Sequence, residues 1–262
     1  MDPASIFRAH GGKAASYKFL DDWRLLQSDG FIFDEIIGLG APEQGIFEWG
    51  ETRTIQSPGW RSSYGDLEST KYALWNTVTL LLSVIANGER AQQRHPAIFK
   101  LPSSFNLALP HFKSRQWSCM ARRRGSWYQW RRWRRAHDAL TLGDKPLRSF
   151  FTDVIPEDGD ETTYTEVYRS VQRAVQQQRF MLTKGGYFGW GPDDPFNKDP
   201  AMGIGIGDKI AIIFGCSTPL VIRPRGDLFE VTGEAYVQGF MDGEALELLE
   251  SGFCNVQTLP FC

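Results

Sequence analysis

The stretch that decides the fold is Gly207-Asp-Lys-Ile-Ala-Ile-Ile-Phe-Gly-Cys-Ser-Thr-Pro-Leu-Val-Ile-Arg-Pro224. It contains two short runs of mainly β-branched residues separated by Gly215, a pattern typical of two strands joined by a turn. Comparable runs flank it at a spacing of roughly 8–12 residues, which predicts a small barrel or sandwich. These runs span 179–183, 186–190, 208–214, 219–223 and 228–238.

Two further elements are predicted before this region. The turn-forming Ser28-Asp-Gly30 separates two β-rich runs, which predicts a hairpin over 17–39. Apolar residues then recur at helical spacing from Leu67 onward, and Asn87-Gly88 provides a stop signal. We therefore expect a helix over 66–88.

The rest of the chain is expected to add helices to the strands. Residues 120–180 form a second helical part, because they contain an amphipathic stretch and the capping-box pattern Thr163-Tyr-Thr-Glu166. The main barrel strands and a terminal helix occupy 179–250. The predicted fold class is α+β: a small, mainly antiparallel β-barrel with several packed α-helices, formed by residues 1–262 as a single domain.

Composition excludes several protein classes. The chain has 262 residues, 42% of them hydrophobic and 23% charged, so a disordered or fibrous protein does not fit. No run approaches the roughly 18 apolar residues of a membrane span, and the N-terminus lacks the pattern of a secretory signal. The four cysteines show no CxxC spacing. We expect reduced thiols and a cytoplasmic location.

Charge is unevenly distributed along the chain. The net charge of −2 excludes a globally basic nucleic-acid binder. Residues 111–148 nevertheless contain 11 Lys and Arg against two acids, whereas residues from Gly226 to the end contain seven acids and no Lys or Arg. The favoured interpretation is that these two stretches face one another or face solvent on the folded surface.

Arg122–Arg135 is the most distinctive local stretch. Seven arginines surround Trp127, Trp130 and Trp133, which form one stripe on a helix. Phosphate pairing with aromatic stacking, or burial at an anionic membrane, is one interpretation of it. Burial of the stripe against the fold is the favoured one, because exposed tryptophan stripes are rare in soluble proteins. For this region we expect binding to a protein partner, and we do not expect binding to nucleic acid.

Familiar catalytic and cofactor motifs do not occur in the sequence. Gly203-Ile-Gly-Ile-Gly207 leads into a strand rather than a helix, so it does not predict nucleotide binding. There is no GxxxxGK[ST], GxSxG or HExxH, and the four histidines lack metal-ligand spacing. We therefore predict no cofactor and no metal, and catalytic residues remain unassigned.

A resemblance emerges from the glycine-punctuated strands. Thr183-Lys-Gly-Gly-Tyr-Phe-Gly-Trp-Gly-Pro192, the Gly207-Asp strand, Pro219-Leu-Val-Ile-Arg223 and Gly233-Glu-Ala-Tyr-Val-Gln-Gly-Phe-Met-Asp-Gly-Glu244 occur in this order. Together they resemble the C-terminal barrel region of fungal heterokaryon incompatibility proteins. The resemblance implies a fungal origin, an intracellular setting and a barrel-plus-helices fold. It also implies that the chain begins where the family's larger N-terminal incompatibility domain ends.

Two functions are compatible with a barrel of this kind. In the first, the barrel lumen binds an apolar small molecule and acts as a cofactor-free cyclase or isomerase of the Diels–Alder type, in fungal secondary metabolism. The alternative is a non-enzymatic protein-interaction module related to heterokaryon incompatibility and cell-death signalling. For the first function, the predicted ligand-binding residues are Tyr187, Trp190, Phe214, Arg223 and Tyr236.

Overall fold

A computed structural model describes residues 7–22, 24–42, 54–56, 58–78, 133, 135–150, 177–193 and 203–262. The chain divides into two compact units, one of residues 1–39 and 177–262 and the other of residues 40–176. The elements in chain order are β1 (Tyr17–Leu20), β2 (Leu25–Leu39), β3 (Ile55–Gln56), α1 (Leu67–Val78), β4 (Thr141–Leu142), β5 (Lys145–Pro146), β6 (Gln178–Thr183), β7 (Phe188–Pro192), β8 (Lys209–Ile213), β9 (Leu220–Arg225), β10 (Leu228–Glu234), β11 (Tyr236–Val237), α2 (Ala245–Glu250) and β12 (Gln257–Phe261).

Five strands of the first unit pair in a ring. The order is β2, β8, β9, β10, β12 and again β2, and every pairing is antiparallel except β10 with β12. The β10–β12 pairing consists of the single pair Phe229 and Phe261. The ring is therefore barrel-like without being cleanly closed at that seam.

Strand β2 also begins a second sheet. Its last residues pair with β6, β6 pairs with β7, and β7 pairs with β11, all antiparallel. The β2 register shifts between Ile32 and Asp34 against β8, and between Ile36 and Gly38 against β6. Such bulges bend a strand and increase its twist. One strand of 15 residues can therefore serve both the ring and the second sheet.

Alternate residues of β2 pack into two different cores. Before the first bulge, Phe31 belongs to the larger hydrophobic cluster, whereas Leu26 and Ile32 pack against the smaller one. The two-residue period of a strand produces this division. The buried members of the smaller cluster, which come from the ring strands, are Ala211, Ile213, Ile222, Leu259 and Phe261.

The region 17–39 contains a hairpin, but not the predicted one, because the runs on either side of Ser28-Asp-Gly30 both lie in the single strand β2. The observed hairpin pairs β1 with β2, with Leu20 opposite Leu25, and Asp21 and Asp22 after β1 have positive φ angles. Gly30 lies inside β2 instead of in a turn. A Cβ at Gly30 would come within 2.3 Å of the Ile212 carbonyl oxygen, so glycine here permits close strand approach.

The helical predictions are only partly reflected in the structure. Asp66 caps α1, because its Oδ1 accepts the backbone N–H of Ser69 at 2.8 Å, and this bond lowers the pKa of the Asp66 carboxyl. The predicted continuation over 79–88 lies outside the described residues. Within 120–180, the described residues include the small β4–β5 hairpin and a 3-10 turn at Leu147–Phe150.

The expectation of several packed helices is not supported by the described part of the chain, in which the assigned α-helices are α1 and α2. Strand formation replaces helix around Gly143, which has a φ of 68° and forms the tight turn between β4 and β5. The capping-box helix predicted from Thr163 lies outside the described residues.

Strand β12 was not predicted from the sequence, although it joins β10 to β2. We expect Leu259→Ala, at a β12 position that is 1% exposed, to lower the free energy of unfolding by about 2–5 kcal/mol, because it leaves a cavity in the ring. Urea unfolding measures the loss. The control Val256→Ala changes a residue that is 52% exposed. An equal effect of both substitutions would contradict a packed ring.

Candidate functional site

The five residues predicted to line a ligand site lie in separate environments. Trp190 on β7 is 1% exposed, and its ring meets that of Phe180 edge to face at 5.4 Å. Tyr236 on β11 donates its hydroxyl to Gln238 Oε1 at 2.5 Å, and its ring lies 6.1 Å from that of Phe7. Both side chains therefore have partners within the protein.

Tyr187 and Phe214 pack at the margin of the larger cluster. The Tyr187 ring meets that of Phe240 edge to face at 4.6 Å, and the Phe214 ring lies 6.3 Å from that of Phe31. Burial raises the pKa of the Tyr187 hydroxyl, and the nearby Asp34 raises it further. The assignment of these residues to a single ligand site stays a prediction.

Arg223 forms an ion pair with Asp208. The Arg223 Nε and Nη2 atoms donate to Asp208 Oδ1 and Oδ2 at 2.9 and 2.8 Å, and Nη2 also donates to the Gly203 carbonyl oxygen at 2.6 Å. The two side chains are 13% and 4% exposed. This forked, nearly buried pair fastens the loop over 203–208 to strand β9.

The same loop is also fastened to β2. The backbone N–H of Gly207 donates to Ile36 O, and the backbone N–H of Ile36 donates to Asp208 O, both at 2.9 Å. Asp208 of the Gly-Asp element and Arg223 of the Pro-x-x-x-Arg element thus contact each other. Arg223 consequently holds the scaffold together where the sequence suggested ligand contact.

We expect Arg223→Met to destabilise the chain by about 3–5 kcal/mol, because it leaves the Asp208 carboxylate buried without its cation. Arg225→Met is the matched control, since the Arg225–Glu230 pair is 49% and 41% exposed and is worth less than about 1 kcal/mol. Thermal and urea unfolding measure both losses. Similar losses would refute the special role of Arg223, and Asp208→Asn added to Arg223→Met should recover part of the stability.

Asp34 is a partly buried carboxyl at the bulge of β2. Its Oδ1 accepts the backbone N–H groups of Glu35 and Gly185 at 2.8 and 2.9 Å, which fastens the β6–β7 turn to β2. Its Oδ2 is buried and forms no hydrogen bond within the described residues. Burial raises the pKa of Asp34, and the bonds from Thr183, Glu35 and Gly185 oppose that shift.

This shift predicts a pH-dependent effect of Asp34→Asn. Burial raises the folded-state pKa of Asp34. The contribution of this carboxyl group to wild-type stability is therefore fully present below its unfolded-state pKa of about 3.9. That contribution is lost as the pH rises through the folded-state pKa. Asparagine does not titrate. The variant should therefore gain stability relative to wild type as the pH rises above about 4, as measured by urea unfolding.

Glu35→Gln provides a control of opposite sign. The Lys209 ammonium bonds Glu35 Oε2 at 2.7 Å and lowers the pKa of that carboxyl. Its contribution is present above the unfolded-state pKa and is lost as pH falls through the folded-state pKa. Glu35→Gln should therefore lose stability relative to wild type as pH rises. Parallel pH profiles for the two variants would contradict at least one of the two assignments.

Part of the Trp/Arg stretch is described. Trp133 is 1% exposed and stacks on His137 with ring centroids 4.4 Å apart, whereas Arg135 is exposed. His137 Nε2 accepts the Ala41 N–H at 3.0 Å, so its proton lies on Nδ1, which donates to Trp133 O at 2.7 Å. The Trp133 ring is therefore buried, while Trp127 and Trp130 lie outside the described residues.

Groups that could bind a metal are not assembled in the described part of the chain, where no three His, Cys, Asp or Glu residues lie close enough. Cys216, Cys254 and Cys262 carry free thiols. Burial raises the pKa of Cys216 and Cys254, and a raised pKa disfavours the reactive thiolate.

The clearest exposed feature of the first unit is the C-terminal surface, which we define as residues 244–256. Phe253 and Val256 are 74% and 52% exposed there, and three glutamates accompany them on the exposed side of α2. These glutamates are Glu244, Glu247 and Glu250. The sequence signalled this surface only through the acidic balance after Gly226.

The family to which the chain belongs follows from its match to one family model. Residues 107–251 match the model of the Het-6 beta-barrel domain, which covers more than half of the chain. This chain belongs to the Het-6 beta-barrel domain family. The resemblance identified from the strand motifs is thereby confirmed. Strands β2 and β12 lie outside the matched residues, although both belong to the ring of this Het-6 barrel.

A curated relative supports the same family. The Het-6 barrel is 34% identical over 94 residues to heterokaryon incompatibility protein 6, OR allele, of Neurospora crassa. The alignment covers 34% of this chain and 12% of that protein, so the shared region is a small part of the relative. No solved structure matches the chain. Among the described residues, no helix has the length and apolar character needed to cross a membrane.

Proposed function

We propose that this Het-6 barrel is a non-enzymatic protein-interaction module acting in heterokaryon incompatibility. Family membership supports the setting, because the relative from Neurospora crassa is named for that process. The observation that carries the molecular role is the hydrophobic cluster shared by the ring strands, whose buried members come from β8, β9 and β12. Because these side chains pack on one another, we assign recognition to the outer surface.

Ring size is the physical reason for preferring a surface role. Barrel diameter increases with strand number, and roughly eight strands are needed before the interior can hold one small ligand. The ring has five strands, and hydrophobic side chains from four of them, β2, β8, β9 and β12, pack together with Phe229 of β10. A flexible polyene would have to displace this core.

Arg223, the predicted polarising group of the cyclase interpretation, already has partners within the protein. Arg223 is the cationic member of the predicted ligand set. Its guanidinium group donates hydrogen bonds to Asp208 and to the Gly203 carbonyl oxygen. An electrostatic contribution to a cyclisation requires a donor aimed at the reacting molecule. We therefore favour protein interaction over Diels–Alder chemistry.

Expression of the tagged full chain in Neurospora crassa, the organism of the matched relative, separates the two functions. The tagged chain should retain a protein partner, and the purified pair should re-form a complex of fixed stoichiometry with micromolar or tighter affinity. Native mass spectrometry of the chain should show no bound small molecule. A co-purifying apolar compound without a protein partner would overturn the proposal and restore the ligand-binding interpretation.

A scaffold variant supplies the control for that experiment. Leu259→Ala weakens the ring without changing the outer surface, so at a temperature where it remains folded it should bind the partner as wild type does. A ligand inside the ring would instead respond strongly to this substitution. Loss of the partner from folded Leu259→Ala would argue against recognition by the outer surface.

A further inference from the structure

We propose that the C-terminal surface, residues 244–256, docks a basic segment of a partner protein that places an apolar side chain against Phe253. This inference rests on the proposed function and adds the location and chemistry of the contact. It combines an outward-facing aromatic ring, a row of glutamates and the absence of basic residues from the local sequence.

Phe253 is held in its exposed position by the backbone on both sides. The Gly252 N–H donates to Leu249 O at 3.1 Å, and the Cys254 N–H donates to Leu248 O at 3.1 Å. Cys254 is 7% exposed and belongs to the larger core cluster, whereas Phe253 is 74% exposed. The loop thus buries the side chain of Cys254 and exposes that of the preceding residue, Phe253. A preorganised aromatic side chain of this kind suits an interface anchor.

The glutamates repeat at a spacing of three residues. Glu244, Glu247 and Glu250 are all exposed, and side chains three apart lie on one helix face. Phe253 lies beyond the helix, after the turn at Gly252, which has a φ of 77°. Like charges at this spacing repel, and Glu250 lies at the helix C-terminus, where the macrodipole disfavours a negative charge. The row therefore costs helix stability in the free protein.

The described residues do not neutralise this row. Glu247 and Glu250 form no ion pair within them, and no Lys or Arg occurs between Gly226 and the C-terminus. Glu244 has a local role, since its Oε2 accepts the Asp242 N–H at 2.6 Å. A basic partner segment would relieve the repulsion at Glu247 and Glu250 and bury Phe253.

Site-specific photocrosslinking tests this arrangement in the full chain. A photoreactive phenylalanine at 253, expressed in Neurospora crassa, should crosslink to a segment of another protein with net positive charge. The same group at Val231, which is 45% exposed and lies on β10, is the position control. Crosslinks only to a second copy, to an acidic segment or at no more than the Val231 level would overturn the inference.

Charge substitutions then test the chemistry with the identified partner. Glu247→Gln with Glu250→Gln should weaken binding about tenfold at low salt, and this difference should shrink at high salt because screening acts on the same charges. Phe253→Ser should weaken binding about tenfold at any salt concentration. Asp227→Asn changes an acid of the β9–β10 turn and should leave binding unchanged.

The readouts separate this inference from the proposed function. The double glutamine variant should unfold at the same or a higher temperature than wild type, since it removes repulsion. Weaker binding would therefore not reflect unfolding. Full binding by all three variants would overturn this surface while leaving the interaction module intact. Failure of wild type to bind any protein would overturn both.

Discussion

The structure depends on the bending of one strand. Strand β2 runs from Leu25 to Leu39 and pairs along its length with strands of two different sheets. A straight strand of 15 residues cannot follow both, because sheet twist would carry its far end away from the ring. Two bulges provide the bend, and Asp34 and Ile36 lie beside them.

The polar groups around β2 keep these bulges in place. Asp34 bonds the β6–β7 turn, and Ile36 exchanges backbone bonds with the loop that the Arg223–Asp208 pair fastens. Hydrogen bonds from buried polar groups can fix one backbone arrangement among several that hydrophobic packing alone would permit. Asp208 and Arg223, which belong to the motifs that carried the family resemblance, thus have a structural role at this point of the fold.

We assign different roles to the ring strands and to the exposed residues of this protein. Hydrophobic side chains of the ring strands pack together in the smaller cluster. At the C-terminal surface, Phe253 and three glutamates are exposed. The proposed basic partner would bring opposite charge to these glutamates.

The sequence by itself determined the local elements. Alternating β-branched runs and turn residues located β6 to β10 to within a few residues, and the motif order identified the family, because these features depend on neighbours in the chain. Tertiary structure decided what separated residues do. Gly30 is a close-approach residue rather than a turn residue, Pro260 lies in a strand that completes the ring, and Arg223 meets Asp208. These outcomes depend on contacts between distant parts of the chain, and a single sequence does not encode their pairing in its spacing.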